Sequence, residues 1–209
     1  MKKILFDLDG TLTDSGEGIM HCAELTLAHY GLPIPTREEM RSIVGPPLKD
    51  SFRRYGIPDT ELDNAIAFYR THYLAVGQFE NFPYPGIQEV LHRLKADGHQ
   101  LYVATSKPEA MAQNILKHFE MDGYFDIICG AVSDAKRSTK EEVIAHLLSL
   151  LADRENLVMV GDTIYDVKGA AFHAIPTVAV SWGYGVVADM QAAGAKIANT
   201  MDELYELLK

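Results

Sequence analysis

The chain has 209 residues, of which 47% are hydrophobic and 23% are charged, and this composition excludes an intrinsically disordered protein. Its formal net charge is −10 and its Lys and Arg residues are scattered. Both features argue against a nucleic-acid scaffold, because an acidic surface repels phosphate backbones. An anionic ligand would have to be met by a metal ion or by a few focused basic groups.

The cysteine content and the first apolar run indicate the compartment. Cys22 and Cys129 lie far apart without the spacing of a metal site, which suits a reducing environment. The run Ile4–Phe6 is broken by Asp7 and is too short for a signal peptide or a membrane span. We therefore expect a cytoplasmic protein that binds neither a membrane nor a nucleic acid.

Short apolar runs separated by helical patterns recur along the chain. Their hydrophobicity is continuous, as in parallel strands that are covered on both faces. The runs are KILFD, QLYVATS, FDIICG, LVMVGD and TVAVSW. Apolar residues at helical spacing lie between them, at Ile87, Val90, Leu91 and Leu94 and again at Ile144, Leu147, Leu148 and Leu151. The alternation predicts an α/β fold with a doubly wound parallel sheet, whose ligands bind at the carboxyl ends of the strands.

A long helical stretch separates the first predicted strand from the second. Residues 16–81 contain no strong strand candidate and are interrupted by segments that contain Gly and Pro. A single crossover helix needs far fewer residues. We therefore predict a core domain of residues 1–15 and 82–209, with an inserted α-helical cap domain of residues 16–81 over the strand ends.

Acidic residues follow two predicted strands that end at the same edge of the sheet. Asp7 and Asp9 follow the first strand, and Asp162 and Asp166 follow LVMVG. Converging carboxylates repel one another unless a hard cation is bound, and such oxygen ligands suit Mg²⁺, which we expect as the cofactor. Asp162 or Asp166 alone could be a helix cap, but capping does not explain two acids one residue apart.

Lys140 is the basic residue that we expect at this edge. It lies in Thr139-Lys140-Glu141-Glu142, which predicts a capping box at the start of a helix. The alternative is a solvated lysine in the first helical turn. Lys136 and Lys107 compete with Lys140 for the same role.

Four dispersed motifs resemble those of haloacid dehalogenase-superfamily phosphatases of subfamily IA. The resemblance extends over essentially the full length and includes the helical cap. The motifs are Asp7-Leu8-Asp9-Gly10-Thr11, the hydroxyl of Thr105 in LYVATS, a lysine best matched by Lys140, and Gly161-Asp162 followed by Asp166.

The resemblance implies a role for each motif residue. Asp7 would be the nucleophile that forms an aspartyl phosphate, and Asp9 would act first as general acid and then as general base. The Asp7 carboxylate, the Asp9 backbone carbonyl and Asp162 would hold Mg²⁺. The remaining implied roles are phosphoryl binding by Gly10, Thr105, Ser106 and the catalytic Lys140, and support of the site by Thr11 and Asp166.

Departures from related branches narrow the expected activity. Asp9 distinguishes the chain from the dehalogenase branch, and Thr11 and Gly161 distinguish it from the β-phosphoglucomutase branch, which commonly has Val and Glu there. The segments Ala104–Pro108 and Ser181–Gly185 resemble phosphoglycolate phosphatases and related nucleotidases and pyrophosphatases. We predict a Mg²⁺-dependent phosphatase, monomeric or homodimeric, that hydrolyses a small phosphorylated metabolite and is similar to phosphoglycolate phosphatase.

Several alternatives to this activity stay open. They are a 5'-nucleotidase, a pyrophosphatase, a phosphotransferase similar to β-phosphoglucomutase, and a catalytically silent phosphate-binding protein. Specificity is expected to come from the cap, where Gly45–Lys49, Arg53 and Arg54 would meet the non-phosphate end of the substrate. Ordinary surface charges are the alternative interpretation of both arginines.

Overall fold

The structure is a computed structural model that describes residues 1–132 and 137–209. The chain forms two compact units, one of Met1–Thr13 with Pro83–Lys209 and one of Asp14–Phe82. Lys136, which the sequence analysis weighed as a site lysine, lies outside the described residues. In the two described ranges, no helix is both long and apolar enough to cross a membrane.

The described part of the larger unit is built on a six-stranded sheet with the order β5–β4–β1–β6–β7–β8. Every neighbouring pair in this sheet is parallel. A separate two-stranded sheet pairs β2 with β3. In chain order, the strands are β1 (Lys3–Phe6), β2 (Thr13–Asp14), β3 (Phe82–Pro83), β4 (Gln100–Pro108), β5 (Ile127–Ala131), β6 (Leu157–Gly161), β7 (Thr177–Val180) and β8 (Lys196–Ala198).

Helices connect the parallel strands and make up most of the smaller unit. Those of the smaller unit are α1 (Gly16–His29), α2 (Arg37–Met40), α3 (Leu48–Arg54) and α4 (Leu62–Ala75). Those of the larger unit are α5 (Ile87–Ala96), α6 (Glu109–His118), α7 (Lys140–Leu150), α8 (Ile164–Phe172), α9 (Val187–Ala192) and α10 (Met201–Leu208).

Both faces of the large sheet are covered, which explains the continuous hydrophobicity of its strands. In β1, Ile4 and Phe6 pack into one apolar cluster, while Leu5 between them packs into another. The first cluster includes buried residues of α5, α6 and α10, and the second includes buried residues of α7. The predicted fold class, an α/β fold with a doubly wound parallel sheet, is therefore confirmed.

The smaller unit has its own aromatic core. The rings of Phe52 in α3 and Tyr69 in α4 meet edge to face, with centroids 5.9 Å apart. Tyr73 stacks on Tyr69 one helical turn further along α4, at 5.5 Å. Such pairs add about 1 kcal/mol each to the stability gained by burial. The assignment of residues 16–81 as a cap stays a prediction.

All five predicted strands form, as β1, β4, β5, β6 and β7, and both predicted helices form as α5 and α7. Thr139 caps α7 in the predicted capping box. Its side chain accepts a hydrogen bond from the Glu142 backbone N–H, and the Glu142 side chain accepts one from the Thr139 backbone N–H. The strands β2, β3 and β8 have no counterpart among the strands predicted from the sequence. These strands are two or three residues long, too short to show a hydrophobic pattern.

Candidate active site

Five polar side chains of the larger unit meet at the carboxyl ends of three adjacent strands. The order β4–β1–β6 places the ends of these strands side by side. The helix that begins with Lys140 packs against β4. The five side chains are those of Asp7 after β1, Thr105 in β4, Lys140 at the start of α7, Asp162 after β6, and Asp166 in α8.

Asp7, Asp162 and Asp166 bring their carboxylates together. One oxygen of each lies within 4.8 Å of the others, and all three residues are buried. Lys140 lies against two of them, with its Nζ 2.9 Å from Asp7 Oδ1 and 2.7 Å from Asp166 Oδ1. The same ammonium donates a hydrogen bond to the backbone carbonyl of Ala104, at 2.9 Å. The Lys140 side chain is 3% exposed, so it is not the solvated lysine considered as the alternative.

Burial and mutual repulsion perturb the protonation of this cluster. Burial raises the pKa of Asp7 from its usual 3.8 to about 6, an effect that Lys140 opposes and Asp166 reinforces. Burial also raises the pKa of Asp162 well above its usual range, with further contributions from Asp166 and Asp7. Burial would lower the pKa of Lys140, but the carboxylates of Asp166 and Asp7 outweigh it and raise that pKa.

These shifts indicate an excess of negative charge. The described residues set three buried carboxylates against the single ammonium of Lys140. Buried charge without a partner is costly, and a divalent cation with oxygen ligands would compensate it. The donor set therefore fits Mg²⁺.

Asp162 is held by hydrogen bonds to both of its oxygens. The Thr11 hydroxyl donates to Oδ1 at 3.1 Å, and the Tyr184 backbone N–H donates to Oδ2 at 2.8 Å. Two glycines allow this close approach. A Cβ at Gly10 or at Gly183 would lie 2.2 or 2.3 Å from Asp162 Oδ2, and Gly10 also has a φ of +80°.

The two carboxylate oxygens of Asp166 have different partners, Thr163 and Lys140. Its Oδ2 accepts hydrogen bonds from the backbone N–H of Thr163 at 2.9 Å and from the Thr163 hydroxyl at 2.8 Å, which caps α8. Its Oδ1 contacts Lys140. The two contacts use different oxygens, so the helix-cap interpretation of Asp166 does not compete with its predicted role in the site.

Asp9 and Lys107 form a second charged pair beside this cluster. Lys107 Nζ donates to Asp9 Oδ1 at 3.0 Å and to Oδ2 at 2.8 Å. Thr105 links the two groups of residues, because its Oγ1 accepts the Lys107 backbone N–H at 3.2 Å and its hydroxyl also bonds to Asp7. Of the two described candidates for the site lysine, Lys140 thus contacts Asp7, whereas Lys107 contacts Asp9. Ser106, between Thr105 and Lys107, is exposed.

The predicted specificity arginines have partners within the smaller unit. Arg53 donates to Asp59 at 2.7 Å and to Asp50 at 3.0 Å. Arg54 donates to the Ser42 hydroxyl at 2.8 Å. Their role toward a substrate stays a prediction.

Sequence reasoning missed the Tyr184 amide. Tyr184 lies in the segment Ser181–Gly185, for which the sequence predicts a family resemblance but no role in the site. A backbone N–H leaves no trace in residue identity, and the pair of glycines around Tyr184 is the one signal that could have indicated a close approach to a side chain. In the same segment, Trp182 donates its Nε1–H to the Thr11 carbonyl at 3.3 Å.

The comparisons with known proteins point to one family. A model of the haloacid dehalogenase-like hydrolases matches residues 4–180. The structure of a predicted phosphatase from Clostridium acetobutylicum superposes with a TM-score of 0.93 at 41% identity, covering 99% of this chain and 97% of that one.

Curated relatives with similar sequences have different names. The tyrosine-protein kinase PtkA of Mycobacterium tuberculosis is 43% identical over 209 residues, which cover 98% of this chain and 72% of that protein. A 5'-nucleotidase of Pseudomonas aeruginosa is 39% identical over 90% of this chain and 86% of its own length. A phosphoglycolate phosphatase of Agrobacterium fabrum is 32% identical over 86% of this chain and 80% of its own length.

Proposed function

Because this chain belongs to the haloacid dehalogenase-like hydrolase family, we propose that it hydrolyses small phosphate monoesters through a covalent phosphate on Asp7. The predicted membership in this superfamily and the predicted phosphatase class are confirmed by the family match and by relatives named as phosphatases. The covalent intermediate, the dependence on Mg²⁺ and the substrate are our proposals.

One observation carries the covalent mechanism: the buried Asp7 carboxylate lies against the ammonium of Lys140. The side chain of Asp9 follows it two residues later in the chain. Lys140 Nζ, 2.9 Å from Asp7 Oδ1, would attract the phosphoryl group to the nucleophile and stabilise the charge on its equatorial oxygens. Thr105, Ser106 and the backbone at Gly10 would bind the same oxygens. A carboxylate placed in this way would be positioned to attack a bound phosphorus atom once a cation offsets the repulsion between the two anions.

The reaction would take two steps. In the first, an Asp7 oxygen bonds to phosphorus, the bond between phosphorus and the leaving oxygen breaks, and Asp9 gives its proton to that oxygen. In the second, a water oxygen bonds to phosphorus, Asp9 takes a proton from the water, and the bond between Asp7 and phosphorus breaks. The products are the alcohol and inorganic phosphate, and both aspartates return to their starting states.

Mg²⁺ would be held by the Asp7 carboxylate, the Asp9 backbone carbonyl and Asp162, with Thr11 fixing Asp162 and Asp166 orienting Lys140. When bound, the cation supplies charge neutralisation between the anionic nucleophile and the anionic phosphate. The excess of buried carboxylates over ammonium groups in the described residues supports this proposal.

We further propose that residues 16–81 act as a cap that excludes water during the first step. Gly45–Lys49, Arg53 and Arg54 would contact the non-phosphate end of the substrate. Phosphoglycolate is the first substrate to test, with nucleoside monophosphates and pyrophosphate as the alternatives. A small phosphorylated metabolite and a cytoplasmic location fit this assignment.

A second candidate function is phosphoryl transfer to a tyrosine hydroxyl, which the 43% identity to a protein named as a tyrosine kinase favours. An Asp7 oxygen would bond to the γ-phosphorus of a nucleoside triphosphate while the bond to the bridging oxygen breaks, which releases the nucleoside diphosphate. Asp9 would then take the proton of the phenol instead of that of water. The two candidate functions share every residue of the site and differ in the phosphoryl donor and in the acceptor.

The test is a panel of phosphate monoesters, nucleotides and pyrophosphate, assayed for released phosphate with Mg²⁺ and with EDTA. We expect turnover that needs Mg²⁺ and that Asp7→Asn reduces by more than about 10³-fold. The matched control is Asp202→Asn, because the Asp202 side chain is 92% exposed. Acid-quenched enzyme should carry one phosphate on Asp7 by peptide mass spectrometry.

Retained turnover in Asp7→Asn would refute the covalent mechanism. Absence of phosphate release from every compound would favour the silent phosphate-binding protein. Formation of a sugar bisphosphate without free phosphate would favour the phosphotransferase. Label passing from a γ-labelled nucleotide to a tyrosine peptide faster than to water would favour the second candidate function.

A further inference from the structure

Two different lysines hold the two aspartates of the first motif. Lys140 lies against Asp7, while Lys107 Nζ lies 3.0 and 2.8 Å from the two carboxylate oxygens of Asp9. The Lys107 side chain is 5% exposed and that of Asp9 is 18% exposed. An ammonium that contacts both oxygens of a partly exposed carboxylate restricts its rotation about the side-chain bonds.

Asp9 needs such a restraint because of its place in the chain. It lies in the turn after β1, where the Gly10 N–H donates to the Thr13 carbonyl at 2.8 Å. Turns leave a short polar side chain with several accessible rotamers. A general acid works only when its oxygen is within about 3 Å of the leaving-group oxygen.

Lys107 is well placed to act as a rigid support. It belongs to β4, and its backbone N–H donates to Thr105 Oγ1 at 3.2 Å. The residue after Pro108 is also braced, because Glu109 accepts hydrogen bonds from the Gly130 N–H at 3.1 Å and from Arg137 at 2.6 Å. A lysine buried on a covered strand has already lost most of its rotamer freedom, so its ammonium holds Asp9 at little further entropic cost.

We propose that Lys107 is a positioning residue, whose ammonium fixes the rotamer of the Asp9 carboxyl group. When one Asp9 oxygen carries the proton for the leaving-group oxygen, the ammonium keeps its contact with the other oxygen. This inference rests on the proposed function, in which Asp9 is the general acid. It assigns Lys107 an action on Asp9 and none on the phosphoryl group. Displacement of a reacting group by about 1 Å can cost about 10²-fold in rate.

The role can be separated from substrate binding by the choice of leaving group. An alkyl phosphate needs a proton on its leaving oxygen, whereas p-nitrophenyl phosphate loses a stable phenolate and needs little help. Misplacement of Asp9 should therefore reduce kcat/KM for the alkyl ester more than for the aryl ester. Loss of a substrate contact would reduce both values by the same factor.

The experiment measures kcat/KM for p-nitrophenyl phosphate and for β-glycerol phosphate in the wild type, Lys107→Met and Lys107→Arg. The exposed Lys117→Met, on the neighbouring helix α6, is the matched control. We expect Lys107→Met to raise the aryl-to-alkyl ratio of kcat/KM by at least about tenfold. Lys107→Arg, which keeps a cation able to contact both oxygens, should stay near the wild-type ratio, and Lys117→Met should leave it unchanged.

An unchanged ratio in Lys107→Met, with equal losses on both esters, would overturn the proposal. A crystal structure of Lys107→Met supplies a readout that does not depend on turnover: we expect Asp9 in a different rotamer from the wild type, and the same rotamer would overturn the proposal. Should Lys107→Met not fold, Lys107→Gln serves both comparisons. If the wild type itself is inactive toward both esters, the proposed function has failed, and this outcome differs from a failure of the Lys107 proposal alone.

Discussion

Removing the charge of Asp7 should stabilise the metal-free protein while it destroys activity. The pKa of Asp7 is raised from 3.8 to about 6, first by burial and against the attraction of Lys140. The folded state therefore prefers the neutral acid, and ionisation above about pH 6 costs the folded protein free energy that it does not cost the unfolded chain. At about 1.4 kcal/mol per pKa unit, the penalty at pH 8 is about 3 kcal/mol.

The sign of the pH dependence follows from this shift. Well below the usual pKa of 3.8 the acid is neutral in both states and the penalty is absent. The penalty grows as the pH rises through 3.8 and levels off once the pH passes about 6. Asn is neutral throughout, so Asp7→Asn lacks the penalty at every pH. In EDTA at about pH 8 we expect the variant to unfold roughly 6–12 °C above the wild type, and at about pH 4 at nearly the same temperature.

Thermal unfolding followed by circular dichroism, with EDTA at both pH values, measures the difference. Asp202→Asn should change the free energy of unfolding by no more than about 0.5 kcal/mol, because its carboxylate is exposed. Its unfolding midpoint should therefore stay close to that of the wild type. Adding Mg²⁺ should raise the midpoint of the wild type more than that of Asp7→Asn, since binding to the folded state stabilises it. A variant that is less stable than the wild type at about pH 8 in EDTA would show that the cluster is not overloaded with charge.

Two further predictions concern the support of Asp162. Asp162→Asn should weaken Mg²⁺ binding by at least about tenfold in isothermal titration calorimetry of the substrate-free protein; unchanged affinity would remove Asp162 from the metal site. Gly183→Ala should lower kcat/KM at least about tenfold and destabilise the fold by about 1–3 kcal/mol, because its Cβ would meet Asp162 Cβ and Oδ2 at 2.3 Å. Gly123→Ala, where a Cβ meets nothing within 4 Å, is its control, and equal behaviour of the two variants would refute the steric argument.

The sheet was predictable because its strands are buried on both faces and therefore have continuous apolar runs. The meeting of the acidic residues was then predictable, because neighbouring parallel strands have their carboxyl ends at the same edge of the sheet. The strand β8 (Lys196–Ala198) could not be found in this way. It lies at the edge of the sheet, pairs only with β7 among the described strands, and has an exposed lysine as one of its three residues.

The choice between lysines could not be made from spacing. Lys107 comes directly after the predicted strand QLYVATS, and Lys140 begins a predicted helix, so both were expected near the crevice. A side chain with four rotatable bonds can reach several partners. The Thr139 capping box predicted where Lys140 starts its helix, but not that its ammonium would contact both Asp7 and Asp166. Side-chain reach is a property of the packed structure and has no periodic signal in the sequence.

The arrangement of the lysines would explain how two carboxylates one residue apart could have the opposite roles proposed for them. A nucleophile must stay ionised and near the phosphoryl group, whereas a general acid must carry a proton and face the leaving group. If one ammonium served both aspartates, any movement that improved attack would disturb proton delivery. With Lys140 against Asp7 and Lys107 against Asp9, each carboxylate has its own support, one from α7 and one from β4. A substitution at Lys107 should therefore impair proton transfer by Asp9 more than attack by Asp7, which is the asymmetry that the leaving-group comparison measures.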